Sequence, residues 1–134
     1  MFNNHEISPY YSKQYRSAFL GDSLELMKHI PNDSINLIVT SPPFALVTPK
    51  EYGNKSSDDY IDWFLEFAKE FKRILTPDGS FVVDLGGAYL PKFPIRSIYQ
   101  YELLVRLVKE LKFLVSERYK RHHLPTCFDE RYAK

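Results

Sequence analysis

The chain has 134 residues, enough for one domain, and its 18 Lys and Arg nearly balance its 17 Asp and Glu, so no global basic field exists for nucleic acid. A hydrophobic fraction of 44% can build a core, and the lone Cys127 excludes an internal disulfide or a cysteine metal cluster; no metal site is expected. Residues 1–10 lack the basic flank and apolar run of a signal peptide, and no apolar stretch approaches the roughly 18 residues of a membrane helix. The expectation is a soluble, cytoplasmic protein with no membrane association.

Residues 1–16 are polar and tyrosine-rich, without a clear period, and read as an amino-terminal arm. Ser17-Ala18-Phe19-Leu20 is a short strand candidate ending at Gly21-Asp22. Asp22 or Ser23 then caps a helix running to Ile30, with Leu24, Leu26, Met27 and Ile30 on its apolar face. After the turn Pro31-Asn32-Asp33 comes Ile35-Asn36-Leu37-Ile38-Val39-Thr40, the apolar run of a buried strand.

That strand meets Ser41-Pro42-Pro43-Phe44, which cannot continue it. Neither proline can donate a hydrogen bond, and each pushes its predecessor into an extended conformation. A stiff loop results, holding a hydroxyl, two carbonyls and an aromatic ring at the strand's carboxyl end, the edge where open α/β sheets bind ligands. A long connection, residues 45–57, follows. Asp58 caps a helix to about Leu75, with Tyr60, Ile61, Phe64, Phe67, Ala68, Phe71 and Leu75 at helical spacing and Trp63 in the core.

Thr76-Pro77-Asp78-Gly79 has the composition of a turn, and Phe81-Val82-Val83-Asp84-Leu85 that of a third strand. Residues 88–97 form a second long connection. A helix over 98–111 and a fourth strand within 112–119 complete the pattern, whereas residues 124–134 show neither a helical nor a strand period. Alternating strands and helices predict an α/β fold, with a mostly parallel sheet and helices on both faces.

The Ser-Pro-Pro-Phe loop suits one reaction, alkylation of an exocyclic amine on a base. Such a nitrogen is a poor nucleophile because its lone pair is delocalised into the ring. Fixed acceptors for both N–H groups favour a tetrahedral nitrogen with the lone pair aimed outward. Ser41 Oγ and the Pro42 carbonyl can serve, and Phe44 can stack on an extruded base. No general base is needed, since an amine that attacks a sulfonium methyl can lose its proton afterwards.

Several blocks, in one order, resemble the cytosine-N4 DNA methyltransferases of restriction systems, of the PvuII type. They are Gly21-Asp22-Ser23-Leu24-Glu25-Leu26, the run from Ile35 to Phe44, Glu51-Tyr52-Gly53-Asn54, and Tyr60-Ile61-Asp62-Trp63-Phe64-Leu65. Pro77-Asp78-Gly79-Ser80-Phe81-Val82-Val83-Asp84, Gly86-Gly87-Ala88-Tyr89 and Arg96-Ser97-Ile98-Tyr99 continue the likeness, which covers about residues 19–117. The resemblance implies a partial Rossmann-like fold, S-adenosylmethionine as methyl donor, and flipping of a cytosine out of double-stranded DNA. It assigns Ser41, Pro42, Pro43 and Phe44 to the catalytic motif, and Asp22 to the cofactor's adenine, beside its capping role.

In this circularly permuted group the Phe-x-Gly-x-Gly cofactor loop and the target-recognition region lie carboxyl-terminal to the catalytic motif. The 134 residues contain no Phe-x-Gly-x-Gly. The expected organisation is therefore an arm (1–16), a partial catalytic domain (17–117) and an atypical tail (118–134). The function implied is that of a truncated or split methyltransferase that needs a separate carboxyl-terminal half. The competing readings are an inactive remnant and a non-catalytic DNA- or protein-binding module. Asp84 near the cofactor, phosphate contacts from Lys50, Lys55 and Arg96, and nucleic-acid attraction by Arg118, Lys120, Arg121, His122 and His123 are weighed against plain solvated surface.

Overall fold

The computed structural model describes residues 7–43, 57–87, 89, 95–118 and 126–129. Strands β1 (Tyr11–Lys13) and β2 (Arg16–Ala18) pair antiparallel as a separate two-stranded sheet, Tyr11 opposite Ala18, with Ser12 and Ser17 hydroxyls 2.9 Å apart. The expected strand at 17–20 thus starts at Arg16 and joins the arm, not the parallel sheet. A two-residue link brings β1 alongside at little entropic cost, and every residue of the hairpin strands is exposed.

Helix α1 (Ser23–Met27) is shorter than the expected span to Ile30. The main sheet comprises β3 (Ile35–Thr40), β4 (Leu75–Val83), β5 (Val115–Arg118) and β6 (Thr126–Asp129), linked in part by α2 (Ser57–Ile74) and α3 (Tyr99–Leu111). Its order is β3-β4-β6-β5. β3 and β4 are parallel, while β6 is antiparallel to both β4 and β5. Hence β3, β4 and β5 all point one way and β6 alone runs against them.

Two local expectations change here. The tail, read as lacking any strand, supplies β6, which seats itself between β4 and β5 rather than at an edge. The turn expected at residues 76–79 is absorbed into β4 as an irregularity: pairing jumps from Leu75 opposite Ile35 to Ser80 opposite Leu37. Thr76 Oγ1 donates to the Ile35 carbonyl (3.3 Å), and a side chain at Gly79 would put its Cβ 2.9 Å from Leu75 Cδ2 and 3.0 Å from the Ile35 oxygen. A larger residue there would have to displace the Leu75 side chain and crowd the Ile35 backbone.

The same irregularity resets the side-chain alternation of β3. Ile35 and Ile38 pack on the core, while Leu37 and Val39 remain exposed. Across the parallel pair, Ile38 faces Phe81 and Thr40 faces Val83. Phe81 and Val83 are buried in one cluster with Met27 of α1, Phe64, Ala68 and Phe71 of α2, and Leu103 and Leu107 of α3. Described residues of all three helices therefore pack on one side of the sheet.

Aromatic rings knit this side together: Phe81 lies 5.0 Å from Phe71 and 5.7 Å from Phe113, and Tyr60 meets Tyr99 edge-on at 5.2 Å. Trp63 is half-buried against Phe67, at 5.0 Å. Arg73 joins α2 to α1. Its guanidinium donates to the carbonyls of Met27 (2.7 Å) and Ile30 (2.8 Å), to Asn32 Oδ1 (2.7 Å) and to Glu70. The last carbonyls of α2 in turn hold the approach to β3, accepting from the amides of Asp33 and Ser34.

Candidate functional site

The carboxyl ends of β3 and β4 lie side by side, with Thr40 opposite Val83. One further bond, from the Asp84 amide to the Thr40 carbonyl (3.0 Å), carries the ladder past the last strand pair. Thr40 is therefore fixed against β4 immediately before Ser41. Beyond it Ser41 and Pro43 are exposed and Pro42 is half-buried. The serine hydroxyl opens to solvent at a rigid strand end. Phe44, like Lys50 and Lys55, lies outside the described residues.

A second loop starts beside the first. After β4, Asp84, Leu85 and Gly86 are half-buried, and the Tyr99 hydroxyl donates to the Gly86 carbonyl. Tyr99 itself is fully buried at the start of α3, where its amide donates to Ser97 Oγ (3.3 Å). Sequence periodicity missed this tyrosine because it precedes the leucine repeat of α3. Its hydroxyl places the Gly86-Gly87 turn next to Asp84 and hence next to the Ser-Pro-Pro strand end. Arg96 is exposed, bridges to Tyr89 and stacks its guanidinium over that ring at 5.1 Å.

Asp22 is the amino-terminal cap of α1: its Oδ1 accepts from the amides of Leu24 (2.8 Å) and Glu25 (3.4 Å). The residue is exposed, and Oδ2 makes no hydrogen bond among the described residues. Capping thus uses one oxygen and leaves the other available. A groove of about 410 Å³ lies between α2 and α3, lined by Ile61, Tyr101, Glu102, Val105 and Arg106, so it contains none of the candidate site residues. No group of three or more metal-ligating side chains occurs among the described residues. No helix there is long and apolar enough to cross a membrane. Arg118 ends β5, while Lys120, Arg121, His122 and His123 lie outside the described residues.

The sequence profile of the DNA methylase family, of the N6/N4 methyltransferase type, matches residues 35–125, more than half of the chain. The chain belongs to this family. The match begins at β3 and extends beyond Glu117 into the tail. The chain is 51% identical to the type II methyltransferase M.PvuII of Proteus hauseri over 109 residues, which are 81% of this chain but 32% of that protein. It is 35% identical to M.BamHI of Bacillus amyloliquefaciens over 58% of this chain and 19% of that one. The chain thus spans about a third or less of the length of these curated relatives.

Among solved structures, the cytosine-N4-specific PvuII DNA methyltransferase superposes on 91% of the chain with a TM-score of 0.74 at 40% identity; the match covers 51% of that structure. A DNA modification methylase of Thermus thermophilus, complexed with S-adenosyl-L-methionine, matches with a TM-score of 0.59 at 20% identity, a likeness of fold alone. The chain therefore has the α/β, partial Rossmann-like architecture expected of it. Part of the sheet and its helices are present.

Proposed function

We propose that this chain provides the target-base half of a site-specific DNA (cytosine-N4)-methyltransferase, acting on a cytosine flipped from double-stranded DNA. What carries the reading is the Ser41-Pro42-Pro43 segment, with Ser41 and Pro43 exposed, following the Asp84–Thr40 bond at the carboxyl end of a parallel strand, in a chain so similar to M.PvuII. Ser41 Oγ and the Pro42 carbonyl accept the two N–H groups of the target amine, turning its lone pair outward. Two prolines keep these acceptors from reorganising as charge develops. Phe44 stacks on the base.

S-adenosylmethionine, when bound, supplies an electrophilic methyl group. Asp22 fits a role toward it, because the capping geometry leaves one carboxylate oxygen exposed and unspent. Arg96, in the loop region next to the β4 end, contacts the phosphate backbone and positions the duplex without reading its sequence. A polypeptide of residues 1–134 alone has no Phe-x-Gly-x-Gly loop, so a complementary carboxyl-terminal part completes the cofactor site.

The test is transfer of labelled methyl from S-adenosylmethionine to duplex DNA. Residues 1–134 alone should transfer slowly or not at all, and addition of the remainder of M.PvuII should restore turnover. Robust turnover by 1–134 alone, or none in a complex shown to form, refutes this reading; in the latter case a non-catalytic remnant is the better description.

A further inference from the structure

We infer that the hairpin of β1 and β2 is a clamp for the phosphate backbone of duplex DNA, gripping it through Lys13, Arg16 and the Tyr15 hydroxyl. The inference rests on the proposed function for the identity of its ligand. Residues directly opposite each other in an antiparallel pair share a face, as do residues two apart along a strand. The register sets Tyr11 opposite Ala18, Ser12 opposite Ser17 and Lys13 opposite Arg16. One face therefore carries Tyr11, Ala18 and both cations, and the other carries the two serine hydroxyls.

Lys13 across from Arg16 is an arrangement that folding disfavours, because like charges at opposed positions repel. No carboxylate in the surrounding sequence offsets the repulsion. Asp and Glu are absent between Glu6 and Asp22, and neither cation makes an ion pair among the described residues. The turn is equally poor as a folding device. Two-residue hairpin links favour Asn-Gly and similar pairs, which accept positive φ. Here the link is Gln14-Tyr15, neither residue has a positive φ, and Tyr15 stands 90% exposed at the tip. A phenol in water at the end of a ribbon adds nothing to the core.

What these residues share is a chemistry. Two cations side by side and a hydroxyl at the tip form a donor set for anionic oxygens. A phosphate lying between Lys13 and Arg16 turns their repulsion into two attractions. The chain as a whole carries a formal charge of only +1, so a polyanion is drawn to a local patch rather than to a general field. Duplex DNA is the polyanion that the proposed function supplies. Only Phe19, Leu20 and Gly21 separate the hairpin from Asp22, so the grip acts close in sequence to the proposed site without using any of its residues. Contacts of this kind position a duplex and do not read its sequence.

The experiment measures binding of residues 1–134 to a fluorescent duplex by anisotropy, across a salt series. It compares the parent with Lys13→Gln, Arg16→Gln and with a charge-matched control, Lys69→Gln, Lys109→Gln, at exposed positions of α2 and α3. Each phosphate contact contributes about 0.9 to the slope of log affinity against log salt. From about 50 to about 200 mM salt the parent should therefore lose about tenfold more affinity than the hairpin variant, on unrelated duplexes alike. The control should keep the parent's slope. Thermal unfolding separates binding from folding: removing the Lys13–Arg16 repulsion should leave stability unchanged or raise it.

A parent chain that does not bind duplex, a hairpin variant with the parent's slope, or an equal change in the control overturns the clamp. So does a loss confined to one duplex sequence, which is base reading, or a preference for phosphatidylserine vesicles over DNA. The two readings fail separately. Hairpin-dependent binding without methyl transfer, in a complex with the remainder of M.PvuII, refutes the proposed function alone. In an active complex the hairpin variant should raise KM for DNA at unchanged kcat, and an unchanged KM refutes the clamp alone.

Discussion

Arg73 offers the sharpest test of how this fold is held. Its guanidinium donates to two backbone carbonyls at the end of α1 and to Asn32 in the following turn, and pairs with Glu70 one turn back along α2. Arg73→Met keeps the aliphatic stem but removes every donor. Hydrogen bonds to a charged group contribute about 1.5–3 kcal/mol each when buried. Here the Arg73 and Glu70 side chains are 29% and 23% exposed, so water recovers part of that loss. The three bonds to α1 and its turn, roughly halved for this screening, give an expected destabilisation of about 2–4 kcal/mol.

Arg73→Lys should fall between, at about 1–2 kcal/mol, because a point charge cannot span the same fork of acceptors. Urea unfolding followed by Trp63 fluorescence measures both, Trp63 being the single tryptophan, half-buried beside Tyr60 and Phe67. A midpoint shift at constant slope is required. If Arg73→Met costs less than about 0.5 kcal/mol, the typical value for an unimportant surface site, α1 is not held by this residue and the reasoning fails.

Leu103→Ala, at a fully buried position of α3, should cost about 2–5 kcal/mol in the same unfolding assay. Tyr60→Phe should be neutral or stabilising by about 1 kcal/mol. The Tyr60 hydroxyl is buried with no hydrogen-bond partner among the described residues, and burial pushes its ionisation far above the ordinary phenol range. Glu110 is held below its usual carboxylate range by its hydrogen bond to Arg106. Its contribution to stability is therefore full above the unfolded value of 4.5 and is lost as pH falls through the lower folded value. Glu110→Gln should remove that contribution near neutrality, flatten the profile in the acid window and match the parent below it. In the complemented enzyme, Ser41→Ala should lower the methyl-transfer rate at least about tenfold, an effect comparable with or smaller than loss of an oxyanion-hole donor; an unchanged rate removes Ser41 from the mechanism.

Much of this was legible in the sequence because the periodicities were strong. The apolar spacing of α2 and α3 located both helices to within one or two residues, and the Ser-Pro-Pro run marked the end of β3 by proline chemistry alone. Asp22 was readable as a cap because a carboxylate before a helical stripe has few other local partners. What escaped was everything decided by a partner distant in sequence. Thr76-Pro77-Asp78-Gly79 has turn residues, yet its pairing is with Ile35 and Leu37 across the sheet, and Gly79 approaches the Ile35 backbone closely. Local composition cannot report such a contact.

β6 escaped for a related reason. Thr126-Cys127-Phe128-Asp129 is too short to show alternation, and its place between β4 and β5 is fixed by pairing, Phe128 opposite Phe81 and also opposite Val115. A central position supplies hydrogen-bond partners on both flanks, which can impose a strand where propensity is weak. β3 shows the converse. Its composition asks for two covered faces and two paired edges, and among the described residues it receives one of each. Local pattern and tertiary setting agree along most of this fold, and β3 is where they part. Leu37 and Val39 carry that disagreement, on the strand that ends just before Ser41.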